Sequence, residues 1–236
     1  DVYKLVARVS ESRSTVLLQG ESGTGKELIA RAIHANSPRR DKPFIPVNCG
    51  ALPDTLLESE MFGHEKGAFT GAHVAKPGLF EAADGGTIFL DEVSGMTANL
   101  QARLLRVIHE RHVRRVGGIR LTPVDVRVIA ASNQDLEGLC KQGTFRPDLY
   151  YRLNVISILR PPLRSRGGDI LLLANEMLTR FSQRVLSDGH AVPSIASSAA
   201  DILMRYSWPG NVRELQNVME RAAVLVDGAM VRSEHL

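Results

Sequence analysis

The chain has 236 residues, 44% of them hydrophobic, enough for one large globular domain or one domain with a small appendage. Its net charge of +3 arises from 29 basic and 26 acidic residues, an interleaved surface from which nucleic-acid binding does not follow. The two cysteines, Cys49 and Cys140, form no Cys-x-x-Cys pair, and no stretch reads as a secretory leader or membrane span, so a reducing cytoplasm is the expected setting.

Val2, Leu5, Val6 and Val9 recur at helical spacing, and a chain that opens inside a helix reads as a piece of a longer protein. The apolar run Val16-Leu17-Leu18 reads as a strand and leads into Gly20-Glu21-Ser22-Gly23-Thr24-Gly25-Lys26-Glu27. Three glycines let this backbone turn tightly with successive N–H groups inward, and Lys26 can reach outer phosphates. A helix over Leu28 to Ala35 would lay its N-terminus beneath them. Strand, loop and helix stand in the order a phosphate loop requires. Glu27 occupies the position where Ser or Thr ordinarily holds Mg²⁺, so a metal must lean on another carboxylate or on water.

Phe44 to Asn48 is apolar enough for a buried strand. Leu52 to Phe62 reads as a helix with Leu52, Leu56, Leu57 and Met61 on one face. Glycines then recur too often for a helix interior, so Gly63 to Ala72 reads as a loop presenting Phe69 and Thr70. After a short helix at Gly78 to Ala83 and a turn at Asp84-Gly85-Gly86, Thr87-Ile88-Phe89-Leu90-Asp91-Glu92 has the Walker B form. There a buried strand delivers two acids to the ligand edge of a sheet. Asp91 is then the Mg²⁺ partner and Glu92 the group that polarises attacking water.

Asn99 to Glu110 is amphipathic, with Leu100, Leu104, Leu105 and Ile108 inward. Arg111 to Gly118 is basic and then glycine-rich; a second exposed loop, a nucleic-acid patch and a solvated turn all fit it. Val124 to Ala131 reads as a strand ending at Ser132-Asn133, whose polar side chains either sense a γ-phosphate or cap the strand. Asp135 to Gln142 reads as a helix. Arg146 and Arg152 stand six residues apart, nearly two helical turns, and each is also readable as a surface ion-pair former. Val155 to Leu159 is a last strand. Pro161-Pro162 marks a boundary between an α/β part, 1–161, and a helical part, 162–236. The latter has helices at Ile170 to Val185, Ser197 to Tyr206 and Asn211 to Val226, a connection at Ser187 to Ser194, and no further strand. His34, His64, His73, His190 and His235 read as surface or loop histidines.

Taken together, these residues resemble the central AAA+ ATPase domain of bacterial enhancer-binding proteins, the NtrC-like activators that work with sigma-54 RNA polymerase. The resemblance rests on Gly20 to Glu27, including Glu27 itself, on Gly67-Ala68-Phe69-Thr70-Gly71-Ala72, and on Trp208 to Leu215. It implies a P-loop α/β subdomain with a parallel sheet, followed by a small all-helical lid, with ATP and Mg²⁺ as ligands. It further implies that Asn48 holds Glu92 inactive until nucleotide or a partner releases it. Arg146 and Arg152 match arginine fingers that enter a neighbouring subunit, so a hexameric or heptameric ring is expected. Arg213 matches a sensor in the lid, and Asn48 and Asn133 read the γ-phosphate. The Gly67 to Ala72 loop, supported by the loop around Arg111 to Leu121, grips the sigma factor. DNA contact falls to a domain outside this sequence, and no membrane is involved. Two rival readings are a remodeller of another protein or nucleic acid, which the Gly67 to Ala72 loop opposes, and a non-enzymatic nucleotide-gated scaffold, which Glu92, Arg146 and Arg152 oppose.

Overall fold

The computed structural model describes residues 2–185 and 192–236. An amphipathic helix, α1 (Val2–Ser10), leads into β1 (Val16–Gln19), and α2 (Lys26–Ala35) follows the glycine-rich loop. Then come β2 (Phe44–Asn48), α3 (Asp54–Phe62), β3 (Gly63–His64), β4 (Lys76–Pro77), α4 (Leu79–Ala82) and β5 (Thr87–Asp91). The chain continues through α5 (Ala98–Glu110), β6 (His112–Arg114), β7 (Leu121–Pro123), β8 (Arg127–Ser132), α6 (Leu136–Lys141), α7 (Pro147–Leu153) and β9 (Ile156–Leu159). The helical part holds α8 (Gly167–Val185), β10 (Ser194–Ile195), α9 (Ser197–Arg205), α10 (Asn211–Leu225) and β11 (Met230–Val231).

Five strands make one parallel sheet in the order β2-β5-β8-β1-β9. Because side chains alternate across a strand, Leu17, Ile88, Leu90, Val128 and Ala130 face one layer, where Leu57, Met61, Leu100 and Leu104 of α3 and α5 pack. Val16, Leu18, Phe89, Ile129 and Ala131 face the other layer, against Val6, Val9, Ile29 and Ile33 of α1 and α2. Helices covering both faces explain why the middles of the inner strands are apolar on both faces. The chain divides into two compact units, Asp1–Gly20 with Lys26–Leu159 and Glu21–Gly25 with Arg160–Leu236.

One buried cation ties α1 to the sheet. Arg127, at the start of β8, donates to the carbonyls of Val9 at 2.7 Å and Ser10 at 3.0 Å, the C-terminal end of α1. Cations suit that end of a helix dipole, and burial pushes the Arg127 pKa down to about 10.

Several expectations are corrected. Phe44 to Asn48 is a strand at the sheet edge, and only Val47 in it is buried. Pro46 has no N–H to give a ladder, which suits a strand with a single neighbour. In α3 the buried face is Leu57, Met61 and Phe62, whereas Leu52 and Leu56 are exposed. Leu57 and Met61 are one turn apart, and Leu56 lies a residue off that line. In the second unit strands do return, since β10 and β11 pair in parallel; two residues each are too short to register as a pattern. His34 and His64 are buried, each bonded to a hydroxyl: His34 Nδ1 meets Thr87 Oγ1 at 3.0 Å and His64 Nδ1 meets Ser59 Oγ at 2.8 Å. Most of the expected connection at Ser187 to Ser194, and His190 with it, lies outside the described residues.

Candidate active site

Because the sheet is parallel, its strands release their side chains at a common carboxyl edge. β8 lies between β5 and β1, so Ser132-Asn133 stands between the acids of β5 and Gly20, where the loop leaves β1. The Gly20 N–H donates to the Ser132 carbonyl at 3.2 Å, fastening the start of that loop to the neighbouring strand. Lys26 opens α2, is buried, and donates from Nζ to the Gly20 carbonyl at 2.9 Å. Ser132 Oγ caps its own turn by donating to the Gln134 carbonyl and accepting from the Gln134 N–H, and Asn133 is exposed.

Asp91 ends β5, and its Oδ1 accepts the Glu92 N–H at 3.0 Å. Glu92 has φ 57° and ψ 43°, a left-handed conformation that costs a non-glycine residue about 1 kcal/mol or more and is commonest at functional sites. Asn48 pairs with Asp91 across β2 and β5. Its Oδ1 accepts the Gly50 N–H at 2.8 Å, so the carboxamide is engaged by Gly50 rather than by Glu92. The two side chains meet around that glycine: a Cβ there would stand 2.8 Å from Glu92 Oε2 and 3.5 Å from Asn48 Oδ1. Burial, with the charges of Asp91 and Glu92 nearby, pushes the Cys49 thiol far above its usual range, so no thiolate competes at this edge. Glu27 faces elsewhere. Its carboxylate pairs with Arg31, one turn along α2, at 2.8 Å on a half-exposed surface.

Glu21 to Gly25, the crown of the glycine-rich loop, belong to the second unit. Gly23 (φ 77°) and Gly25 (φ 90°) are left-handed, as a loop that turns its N–H groups inward requires. Arg164 holds Glu21 through two bonds of 2.6 and 2.9 Å. Asn211 Nδ2 adds one of 3.1 Å, and together these partners keep the Glu21 carboxyl down to about 2. Asn211 is fully buried: it donates to the Ser22 carbonyl at 3.0 Å and accepts the Leu163 N–H at 2.8 Å. Arg213 donates from Nη1 to Ser22 Oγ at 3.2 Å and from its main chain to the Gly23 carbonyl at 3.3 Å. Arg160 Nε donates to the Thr24 carbonyl at 3.2 Å, and Thr24 Oγ1 donates back within the loop to Glu21.

Arg146 caps the start of α7, Arg152 lies in its last turn, and both are exposed. Arg146 pairs with Asp148 at 2.7 Å, and the Arg146 N–H donates to Oε1 of the buried Gln101 at 2.8 Å. For Arg152 no ion pair is found among the described residues.

The Gly67 to Ala72 loop closes on itself. The Gly67 N–H donates to the Ala72 carbonyl at 2.8 Å, and the Ala72 N–H to the Phe69 carbonyl at 3.0 Å. Phe69 and Thr70 are exposed, and the Phe69 ring stands edge-on to His64 with centroids 5.0 Å apart. The basic segment after α5 is the β6–β7 hairpin, which supports this loop. Glu65 N–H donates to the Val116 carbonyl at 3.0 Å and Val116 N–H to the Gly63 carbonyl at 2.8 Å, while Gly117 lies against Ala68. Arg115 is occupied by Glu81 at 2.8 Å and Glu65 at 3.3 Å, and its proximity lowers the Glu81 pKa.

Sequence reasoning passed over Gln101 and Arg164, and gave Asn211, inside the Trp208 to Leu215 motif, no role of its own. Gln101 and Asn211 are polar residues in amphipathic helices, where a polar side chain ordinarily reads as the solvent face. Asn211 did carry a signal, since asparagine after glycine at a helix start suits a left-handed conformation, and its φ is 54°.

A model of the sigma-54 interaction domain matches residues 1–159, and one of the AAA+ ATPase lid domain matches residues 164–236. The chain is 55% identical over all 236 residues to the regulatory protein AtoC of Escherichia coli K12, covering 50% of that protein. It is 53% identical over 231 residues to the transcriptional regulatory protein ZraR of the same organism, covering 98% of this chain and 52% of ZraR. It is 52% identical over its full length to the nitrogen fixation protein AnfA of Azotobacter vinelandii, covering 44% of it. The chain thus spans about half the length of the curated relatives it matches. A crystal structure of NtrX from Brucella abortus in complex with ATP superposes with a TM-score of 0.91 at 37% identity, covering all of this chain and 51% of that one. With both family models matched in register with the α/β and helical parts, the chain belongs to the sigma-54 interaction domain family and carries an AAA+ ATPase lid.

Proposed function

We propose that the chain is the ATP-hydrolysing motor of a cytoplasmic transcriptional activator, working as a hexameric or heptameric ring that remodels the closed promoter complex of sigma-54 RNA polymerase. The observation that carries the reading is α3. It begins at Asp54, four residues after Gly50, the glycine that Glu92 and Asn48 flank, and ends at Phe62, where the chain passes directly into the strand that holds the Gly67 to Ala72 loop. One helix therefore joins the hydrolytic edge of the sheet to the exposed Phe69 and Thr70. A packed helix moves as a body, so a rearrangement around Gly50 reaches the loop.

In this reading the inward N–H groups of Gly20 to Gly25 and the Lys26 ammonium hold the phosphates of ATP. Asp91 would hold a magnesium ion through its carboxylate together with the nucleotide's own oxygens, supplying charge neutralisation at the β- and γ-phosphates. A partly exposed carboxylate at the end of a buried strand fits that task. Glu92 takes the proton of the attacking water. Asn48 and Asn133 respond to the γ-phosphate, Arg213 couples the lid to the loop through Ser22, and Arg146 and Arg152 reach the nucleotide of a neighbouring subunit. DNA contact falls to a part of the protein outside this sequence.

The deciding experiment is capture of purified sigma-54 by this domain without nucleotide, with ADP, with a slowly hydrolysed ATP analogue, and with ADP plus a metal fluoride. Capture confined to the ATP-like states is expected. An active ATPase that captures sigma-54 in none of them would refute the partner.

A further inference from the structure

Gln101 is fully buried one turn into α5, and every polar partner it has is main chain. Its Nε2 donates to the Met96 carbonyl at 2.8 Å and to the Thr144 carbonyl at 3.1 Å, while its Oε1 accepts the Arg146 N–H at 2.8 Å. The partners dictate the orientation of the amide: two carbonyls only accept and one N–H only donates, so a flipped amide would lose all three bonds. Met96 closes the tight turn that follows Glu92, its N–H donating to the Val93 carbonyl and that of Gly95 to the Glu92 carbonyl. Thr144 and Arg146 lie on either side of the buried Phe145. The carboxamide therefore pins the base of the arginine to the turn behind the acid, and beyond that base the Arg146 side chain is held, among the described residues, by the exposed pair with Asp148.

We infer that Gln101 is a positioning residue for ATP hydrolysis: it seats the main chain of Arg146 and thereby aims the finger this subunit presents to its neighbour's nucleotide. The inference rests on the reading of Arg146 as a finger supplied in trans. Finger function depends on placing a guanidinium within hydrogen-bond range of the transferring phosphoryl, so an ångström of play at its base is costly. The bulk of α5 is fixed independently by Leu100 and Leu104, so Gln101→Met fills the same space and removes only the three bonds.

The test is subunit mixing. Alone, Gln101→Met should bind ATP with unchanged affinity and hydrolyse it at least tenfold more slowly. Mixed with Glu92→Gln subunits, it should regain activity, because its intact acid then meets a well-aimed finger. Mixed with Arg146→Ala subunits, it should not, because both lack a working finger. Recovery with Arg146→Ala instead would mean that Gln101 acts on its own subunit's Glu92, and recovery with neither would mean a merely structural role; either result overturns the proposal. The pair Arg146→Ala with Glu92→Gln is the control: if that mixture stays silent, the trans reading of Arg146 is what has failed, and the proposal falls with it. Should Gln101→Met not fold, hydrogen exchange in the unaltered domain decides. The Arg146 amide must exchange at least a hundredfold more slowly than a free peptide, and exchange near the free rate overturns the assignment.

Discussion

Gly23 faces the carbonyl oxygen of Gly210 so closely that a Cβ on it would stand 2.2 Å away, with Arg213 Cβ at 3.2 Å. Alanine fits neither that space nor a φ of 77°. Gly23→Ala must therefore displace the crown of the phosphate loop, and calorimetry should find ATP affinity reduced at least tenfold. Unchanged affinity would remove this contact from the nucleotide site.

Glu92→Gln keeps the shape of the side chain and removes its basicity. ATP should bind as before, while turnover falls by about 10²- to 10⁴-fold, the usual contribution of a positioned base. Turnover at the original rate would assign water activation to another group.

Arg146→Ala should leave nucleotide affinity intact and lower hydrolysis by about 10³-fold or more, as loss of a finger does in related phosphoryl-transfer enzymes. In the unaltered domain, specific activity should rise with protein concentration as subunits assemble. Full activity in the variant would send the search to Arg152 or elsewhere.

What was legible in the sequence was local. The glycine-rich loop and the Asp91-Glu92 strand end are each contiguous, so both could be placed from residue order alone. The partners that seat them are not contiguous. Asn211 meets Ser22 and Glu21 from 189 and 190 residues away, and Gln101 meets Thr144 and Arg146 across more than forty. Neither bond leaves a periodic trace. β10 and β11 escaped for a related reason: each is two residues long, and their pairing joins positions thirty-six apart. His34 reads as a surface residue because its burial depends on the Thr87 hydroxyl brought from fifty-three residues away, and His64 because it sits in β3 directly after α3, bonded to Ser59 of that helix.

Thr70→Ala changes an exposed side chain in a loop whose shape comes from its own main chain. ATPase activity should be retained while sigma-54 capture and open-complex formation are lost. Normal transcription from this variant would exclude Thr70 from partner contact.

Burial lowers the His34 pKa from its ordinary 6.5, so the folded chain resists a proton that the unfolded chain accepts. Stability from this site is therefore present above about pH 6.5 and is lost as pH falls below it. His34→Gln can still bond Thr87 but does not titrate. Denaturation midpoints measured between about pH 7 and pH 5 should fall less steeply in the variant than in the unaltered chain. Parallel slopes would mean another group controls the acid limb.

The Gly67 to Ala72 loop carries its conformation with it. Its main-chain bonds are internal but for the Ala68 N–H to the Glu65 carbonyl at 3.2 Å and the His73 N–H to the Gly71 carbonyl at 2.9 Å. Among the described residues it also meets its surroundings through the Phe69 ring on His64, Ala68 against Gly117, and the Glu65 bridge to Val116. Lifting it away exchanges those attachments without unfolding the tip. Under the proposed function, a partner would meet a preformed surface, so little ordering entropy would be lost on contact and nucleotide energy would go into displacement rather than into reshaping the tip.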